Sequence, residues 1–227
     1  MSLAHRAISE EAMDAPDLDP AIYAAVLTDL ARVNAVTLAP RPTLAFLDRA
    51  TTSRGHVRLL DVGFGAGDML RRIARWAERR GKTVDLVGID LNPGSAIVAN
   101  GFGRVGSIRY LTGDYRDLAG QGWDIVISSL VAHHMTPDQL VDFVRFMDRE
   151  ARVGWLVNDL HRHRFAHLGY PLLARLLRAH PIVRADGQLS IARAFRPAEW
   201  RAILADAGVS AEVRRRFPFR LCVERLR

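Results

Sequence analysis

Several residue types and patterns are scarce in this 227-residue chain. It has a single cysteine, Cys222, so an intramolecular disulfide is excluded and nothing indicates a small, disulfide-stapled secreted protein. No hydrophobic run approaches the roughly 20 residues that a membrane-spanning helix needs. The first twenty residues also lack the apolar segment of a signal peptide. We therefore expect a cytoplasmic protein.

Lysine is almost absent as well, since Lys82 is the single lysine among 32 basic residues. The formal net charge is nonetheless +7, which can indicate a nucleic acid, an anionic membrane or an acidic substrate. The arginines are spread along predicted solvent faces and do not alternate with aromatic residues, so a nucleic-acid partner is not favoured. Contact of Arg164, Arg175, Arg178 and the 214–216 run with anionic lipid stays open, although a solvated basic face is the favoured interpretation.

Short apolar runs alternate with helical stretches from residue 57 onward, which is typical of a parallel sheet with helices on both faces. Composition is that of an ordinary globular domain, with 49% hydrophobic and 25% charged residues. The predicted strands cover residues 57–62, 83–89, 105–111, 123–129 and 153–158, followed by an antiparallel hairpin over 209–216 and 219–225.

The chain divides into five predicted parts of one domain. They are a flexible arm (1–19), an N-terminal helical cap (20–52), a sheet core (57–158), a helical lid inserted after the fifth strand (160–196), and a C-terminal helix with the hairpin (197–227). Asp19 and Pro20 are typical of a helix start. In the lid, residues 164–180 form one predicted helix that packs on the cap above the site, and most of its leucines are expected in the core.

A glycine-rich turn follows the first strand, in the sequence Asp61-Val62-Gly63-Phe64-Gly65-Ala66-Gly67-Asp68. Glycines allow the backbone to turn tightly and to approach a ligand closely. The dinucleotide fingerprint G-x-G-x-x-G would need glycine at 68, where Asp68 would repel a pyrophosphate. A G-x-x-x-x-G-K-[ST] phosphate loop is also missing.

This turn resembles the D-x-G-x-G-x-G motif of class I S-adenosylmethionine-dependent methyltransferases. The resemblance covers about residues 57–158 and implies a Rossmann-like α/β fold with a seven-stranded, mostly parallel sheet and a C-terminal antiparallel hairpin. It also implies S-adenosylmethionine as cofactor, S-adenosylhomocysteine as product and no metal. The implied cofactor-binding residues are Asp61, Gly63, Phe64, Gly65, Gly67, Asp90, Leu91, Asp114, Tyr115 and Ser129.

The family assigns a role to several of these positions. Asp90 ends the second strand and is suited to accept hydrogen bonds from the ribose hydroxyls. Asp114 follows the third strand, where the family has an acid that recognises the adenine amino group. Leu91 and Tyr115 would lie against the adenine, and Ser129 ends the strand beneath the methionine part.

Histidines cluster after the fourth and fifth strands, at the sheet edge where ligands bind. His133 and His134 follow the fourth strand, and His161 follows Asp159 at the end of the fifth. All four are candidate catalytic residues, since a histidine can accept a proton near neutral pH and a carboxylate can orient it. Histidine and aspartate are good metal ligands, but the spacing of these residues does not favour a metal site.

The favoured function is methyl transfer to a small acceptor, with O-methylation of a phenolic, quinone-like or polyketide compound in small-molecule, secondary-metabolite biosynthesis. A nucleic-acid or protein methyltransferase is the first alternative, although the [DNS]-P-P-[YFW] motif is absent where Ser128-Ser129-Leu130 stands. A non-catalytic S-adenosylmethionine-binding regulator or partner subunit is the second. The oligomeric state is left open.

Overall fold

A computed structural model describes residues 3–103 and 106–227, and the described residues form one sheet with helices on both faces. The strands are β1 His56–Val62, β2 Thr83–Asp90, β3 Ile108–Thr112, β4 Ile125–Ser129, β5 Gly154–Leu160, β6 Glu212–Arg216 and β7 Arg220–Leu226. The helices are α1 Pro20–Val36, α2 Pro40–Ala50, α3 Asp68–Arg79, α4 Pro93–Gly101, α5 Pro137–Glu150, α6 Arg164–Leu176, α7 Pro181–Arg193 and α8 Pro197–Ala207.

The seven strands lie in the order β3-β2-β1-β4-β5-β7-β6. Strands β1 to β5 are parallel, whereas β7 is antiparallel to both β5 and β6. The predicted fold class is thereby confirmed. The strand order reverses at β1, and ligands of such sheets bind at the carboxyl ends of the strands beside this reversal.

Adjacent residues of β1 point to opposite faces of the sheet, which is why its apolar run is continuous. Leu59 packs in a cluster with α2, α3 and α4, whereas Leu60 packs in a cluster with α5 and α8. Both leucines are buried. A strand covered on both faces loses the hydrophobic alternation of a half-exposed strand, as the sequence indicated.

Local capping signals fix most helix ends. The Asp19 side chain accepts hydrogen bonds from the amides of Ala21 and Ile22, and Pro20 is the first residue of α1, as predicted. Gly208 ends α8 in a left-handed conformation. The third strand was predicted from Val105, a residue that lies outside the described ranges; the described strand begins at Ile108.

The prediction of a flexible arm over residues 1–19 does not agree with the structure of residues 3–19, which pack against the domain. A short 3₁₀ helix, Ala12–Asp14, is fixed by Asp186 of α7, whose carboxylate accepts hydrogen bonds from the amides of Ala12 and Met13. Arg6 donates to the carbonyls of His133 and Met135. Residues 3–19 are called the N-terminal strap below.

The lid also differs from its prediction. The expected helix over 164–180 ends at Leu176, and α7 begins separately at Pro181 after Arg178 in a left-handed conformation. The prediction that most of its leucines lie in the core is wrong for Leu168, Leu172 and Leu176, which are exposed. The predicted packing of lid on cap is present, because Val26 and Val33 of α1 cluster with α6 and α7 residues.

Among the described residues, no single helix has the length and hydropathy to cross a membrane, and only α1 and α2 together, bent by 67°, satisfy that test.

Candidate functional site

Two glycines of the β1–α3 turn have conformations and neighbours that exclude a side chain. Gly63 has φ +76°, and a Cβ there would lie 2.3 Å from Cγ2 of Val131. Gly67 has φ +70°, and a Cβ there would lie 2.7 Å from the ring of Tyr110. Both values of φ are unfavourable for residues with a Cβ. The turn therefore depends on glycine for its backbone shape and for its packing.

A cavity of about 710 Å³ lies at the carboxyl ends of the parallel strands, under α1, α6 and α7. Cavities of this size are typical of small-molecule sites. The predicted cofactor residues that line it are Asp61, Gly63, Phe64, Gly65, Asp90, Leu91, Asp114, Tyr115 and Ser129. Gly67, the residue before α3, does not line the cavity, although its neighbours Ala66 and Asp68 do.

Asp61 is the least satisfied polar residue of the site. It is buried, and neither carboxylate oxygen has a hydrogen-bond partner among the described residues; the same is true of the Ser129 hydroxyl. Burial, together with the charges of Asp68 and Asp90, raises the pKa of Asp61 to about 8. A buried carboxylate without a donor requires a ligand that brings a donor or a positive charge. The amino group and sulfonium of S-adenosylmethionine have this chemistry, so the residues present fit the cofactor.

Asp90 holds the glycine turn and also faces the cavity. Its carboxylate accepts hydrogen bonds from the amides of Gly65 and Asn92, both at 2.9 Å. Burial raises its pKa, although these bonds act in the opposite direction. Since each carboxylate oxygen has further acceptor capacity, Asp90 is oriented by the turn and can still accept from a ligand hydroxyl.

Asp114 has a different environment, at the more open end of the cavity. Its carboxylate accepts a hydrogen bond from the backbone amide of Arg116 at 2.9 Å and forms a salt bridge with the guanidinium of Arg116 at 2.6 Å. These contacts with Arg116 lower its pKa. The carboxylate is therefore ionised near neutral pH and is fixed at the end of β3.

The hydrophobic members of the cofactor set divide into exposed and packed side chains. Leu91 is 76% exposed at the cavity rim, which leaves its surface open to a ligand. Tyr115 packs edge-on against Phe143 and Phe146, with centroid distances of 4.9 and 4.7 Å. The ring of Phe64 packs against Tyr110 at 5.0 Å. Leu91 is therefore the residue of this group with the most surface available to a planar ligand.

His133 lines the cavity and is paired with Asp159, which does not itself line it. Its Nδ1 lies 2.7 Å from Asp159 Oδ1, and its amide donates to Asp159 Oδ2 at 2.8 Å. Burial raises the pKa of Asp159, but the contacts with His133 outweigh this effect and the net shift is downward. Asp159 thus orients a histidine, as the sequence suggested, and that histidine is His133.

His134 is the more accessible of the two neighbouring histidines. Its ring lies 4.3 Å from that of His133, its side chain is 28% exposed, and its Nδ1 lies 2.9 Å from Oδ2 of Asp14 in the strap. Burial lowers the pKa of His134, but the hydrogen bond to Asp14 and the negative charges of Glu11 and Asp14 raise the pKa by more than burial lowers it. The net shift is upward.

Glu11 completes this cluster from the strap. Its carboxylate lies 3.7 Å from His133 Nε2 and 3.9 Å from His134 Nε2, and it accepts from the Ser190 hydroxyl at 2.9 Å. The ligand atoms of Glu11, His133 and His134 all lie within 4.8 Å of one another, which could accommodate a metal ion. Arg193 is 3.9 Å from Glu11, however, and this nearby cation disfavours a second one. We assign no metal to the cluster.

His161, the remaining catalytic candidate, lies away from these groups. Its side chain is buried beside the β5–α6 connection and is not part of the cavity lining. Burial and the charges of Arg215 and other basic neighbours lower its pKa to about 4. The structure therefore brings Asp159, His133 and His134 together and leaves His161 apart.

The strap residues Glu11 and Asp14 are the part of the site that sequence reasoning missed. They lie more than a hundred positions from His133 and His134 in the sequence, and no local pattern links the two segments. One feature of the sequence could have indicated the contact: the first 19 residues are acidic, whereas the chain as a whole is basic.

Comparison with known proteins gives a matching domain and several similar folds. Residues 59–154 match a family model described as a methyltransferase domain. The fold is similar to that of an S-adenosylmethionine-dependent methyltransferase from Aquifex aeolicus, at 17% identity and TM-score 0.60 over 92% of this chain and 98% of that one. A sequence search of curated proteins gives no significant match.

Two further structures are similar at low identity. Magnesium protoporphyrin IX methyltransferase from Synechocystis PCC 6803 has 16% identity and TM-score 0.55, over 95% of this chain and 90% of that one. Human N-acetylserotonin methyltransferase has 14% identity and TM-score 0.63, over 91% of this chain and 56% of that one. Residues 59–154 thus match a methyltransferase domain, and the glycine turn, the strand order and these similar structures give the chain the Rossmann-like methyltransferase fold.

Proposed function

We propose that this enzyme methylates a hydroxyl group of a small, largely apolar acceptor, of the phenolic, quinone-like or polyketide class. The observation that carries the proposal is the two-sided lining of one cavity. The three acids Asp61, Asp90 and Asp114 line one part, whereas apolar residues of α1 and the lid, including Val33 and Leu173, line another. An apolar wall excludes water and selects an apolar acceptor.

The acids have separate roles toward the cofactor. Asp61 would bind its positively charged amino-acid part, Asp90 the ribose hydroxyls and Asp114 the adenine amino group. When bound, S-adenosylmethionine supplies an electrophilic methyl group on a cationic sulfur. The chain contributes by holding the acceptor oxygen in line, which can account for much of the rate.

A phenolic acceptor carries its proton at neutral pH, since such hydroxyls have a pKa near 10. A residue that removes this proton would therefore assist transfer. We assign this role to His134, because it lines the cavity, is partly exposed and is oriented by Asp14. The His133–Asp159 pair, whose imidazole packs against the His134 ring, acts as a positioning element.

Similar folds support a small acceptor, since the structures include enzymes named for magnesium protoporphyrin IX and N-acetylserotonin. Others of similar fold are the plantazolicin methyltransferases BamL and BpumL, both in complex with desmethylPZN analogues. Methylation of a nucleic acid or protein, and cofactor binding without catalysis, are alternative outcomes of the experiment below.

The test combines calorimetry with transfer of a labelled methyl group. We expect S-adenosylhomocysteine to bind and hydroquinones, phenols or hydroxypyrones to accept the label, while amine analogues, RNA and bulk protein do not. Binding without transfer to any acceptor would favour the non-catalytic alternative. Labelling of RNA or protein in preference to phenols would overturn the proposed acceptor class.

His134→Gln tests the proton acceptor. We expect kcat to fall about a hundredfold or more, the usual contribution of a general base, with little change in S-adenosylhomocysteine affinity. Because the pKa of His134 is raised, the wild-type rate should increase with pH through a limb above pH 6.5, and the variant should lose this limb. His56→Gln, on the exposed start of β1, is the matched control. Unchanged turnover in His134→Gln would remove His134 from the reaction.

A further inference from the structure

An exposed apolar stripe runs along the lid helix α6. Phe165, Leu168, Leu172 and Leu176 are each between 64% and 72% exposed. Their spacing of three, four and four residues puts them on one face of the helix. Single exposed apolar residues are ordinary, but a continuous stripe of large ones indicates an interaction surface.

The stripe continues onto the turn between β6 and β7. The His163 ring stacks on Phe219 at a centroid distance of 4.9 Å and lies 5.5 Å from the Phe165 ring, so it joins the two elements. Phe217, in the same turn, is 82% exposed. We call this combined surface the lid patch; it consists of Phe165, Leu168, Leu172, Leu176, Phe217 and Phe219.

The lid segment carries charge of almost one sign. Residues 160–196 contain seven arginines and a single acidic residue, Asp186. Asp186 is buried and accepts the hydrogen bonds from the strap, so it contributes no exposed negative charge. Arg164, Arg175 and Arg178 are exposed on or directly after the helix that carries the stripe.

We propose that the lid patch docks on an anionic lipid bilayer, with the apolar side chains in the interface and the arginines at the headgroups. Amphipathic helices with large apolar residues on one face and arginine beside them bind membranes in this way. A second copy of the chain fits the surface less well. Two such lids face to face would bring like charges together, with no exposed acid in residues 160–196 to pair with them.

The patch is also continuous with the cavity. Phe165 and Phe219 belong to the patch and line the cavity as well, so the cavity rim lies within the surface that would contact lipid. If the acceptor is apolar, as the proposed function holds, it can enter from the bilayer without crossing water. Docking itself does not depend on that function, because it rests on exposure and charge alone.

Co-sedimentation with vesicles tests the docking separately from catalysis. We expect the full-length protein to bind vesicles of phosphatidylcholine with phosphatidylglycerol, and to bind pure phosphatidylcholine vesicles and high-salt samples much more weakly. The double variant Leu168→Ser/Leu172→Ser should lose at least tenfold in affinity. Ile97→Ser, an equally exposed apolar residue on α4, is the matched control and should bind as the wild type does.

Charge variants supply the second arm of the experiment. Arg164→Gln and Arg175→Gln should each weaken binding about fivefold at low salt, as expected for an arginine near an anionic surface. Arg75→Gln and Arg79→Gln, on exposed positions of α3, should have little effect. Equal binding to neutral and anionic vesicles would overturn the proposal. So would a dimer in sedimentation velocity that dissociates in Leu168→Ser/Leu172→Ser, since the patch would then join two copies.

Discussion

The two parts of the cavity are built in opposite ways. The part proposed to bind the cofactor comes from residues 61–115 and Ser129, and its three acids Asp61, Asp90 and Asp114 lie at or just after the ends of strands. The acceptor part combines the strap, the residues after β4 and the lid, which are far apart in the sequence. A site made from consecutive strand ends can be recognised from spacing, whereas a site made from distant segments cannot.

The two parts also differ in how their polar groups are satisfied. Asp61 has no partner for either carboxylate oxygen among the described residues, whereas His133, His134 and Glu11 are bonded to Asp159, Asp14 and Ser190. Unsatisfied buried groups cost free energy, and satisfied networks make a wall rigid. The cofactor part therefore holds groups that a ligand must satisfy, while the acceptor part is a preformed surface.

The largest effect is expected on the free energy of unfolding, from a substitution in the glycine turn. Gly63→Ala combines an unfavourable positive φ with a clash against Val131, so we expect the free energy of unfolding to fall by about 2–5 kcal/mol. Gly81→Ala has a similar φ of +62° and open space around its Cβ, so it should cost only about 1–2 kcal/mol. Urea unfolding of both variants measures the difference. Equal losses would show that the Val131 contact is unimportant.

Asp61→Asn separates binding from stability. We expect S-adenosylhomocysteine affinity to fall tenfold or more, because a hydrogen bond to a charged group contributes about 1.5–3 kcal/mol. Without ligand, the variant should be as stable as the wild type or more so at pH 8, since the charge it removes is buried and has no partner among the described residues.

The pKa of Asp61 also predicts how the stability of the ligand-free protein changes with pH. The pKa of Asp61 is about 8 in the folded chain and about 4 when unfolded, so the folded state binds the proton more tightly. Ligand-free wild type should therefore lose stability as the pH rises from about 4 to 8, and Asp61→Asn should lose less. Melting temperatures at pH 5 and pH 8 measure this, with the exposed Asp85→Asn as control. A variant with the wild-type slope would contradict the assignment.

A smaller effect should follow when the strap is loosened. Asp186→Asn keeps one acceptor oxygen and loses the other, so one of the amides of Ala12 and Met13 is left without its partner. We expect a cost of about 1–2 kcal/mol and faster protease cleavage within residues 3–19. Asp206→Asn, at an exposed position of α8, should leave both measurements unchanged. A strap that stays equally protected in Asp186→Asn would show that other contacts hold it.

The smallest effect is expected at His161. His161→Gln should leave turnover unchanged within a few-fold, because the side chain does not line the cavity. Its lowered pKa means that the folded state binds the proton more weakly than the unfolded state, so wild type loses stability as the pH falls from about 6.5 toward 4. The variant should lose less over that range. Loss of turnover in this variant would instead show that His161, in the β5–α6 connection, belongs to the acceptor part of the site.

Sequence reasoning succeeded where structure is local. The Asp19-Pro20 start of α1, the strand–turn–helix at Gly63 and the acids after β2 and β3 each depend on neighbours a few residues away. It failed for the strap and the lid. Glu11 meets His133 because Asp186 and Ser190, far along the chain, hold the strap. The leucines of α6 have helical spacing whether they are buried or exposed.

The amino-acid sequence by itself determined the fold class, the cofactor turn and the order of the acids that follow the strands. These follow from backbone conformation and strand periodicity, which are encoded residue by residue. Only the tertiary structure decided which histidine Asp159 orients, that acids of the strap complete the wall, and that the lid presents its leucines to the outside. Each of those facts depends on which distant surfaces are buried against each other, and hydrophobic spacing in one segment does not specify its partner.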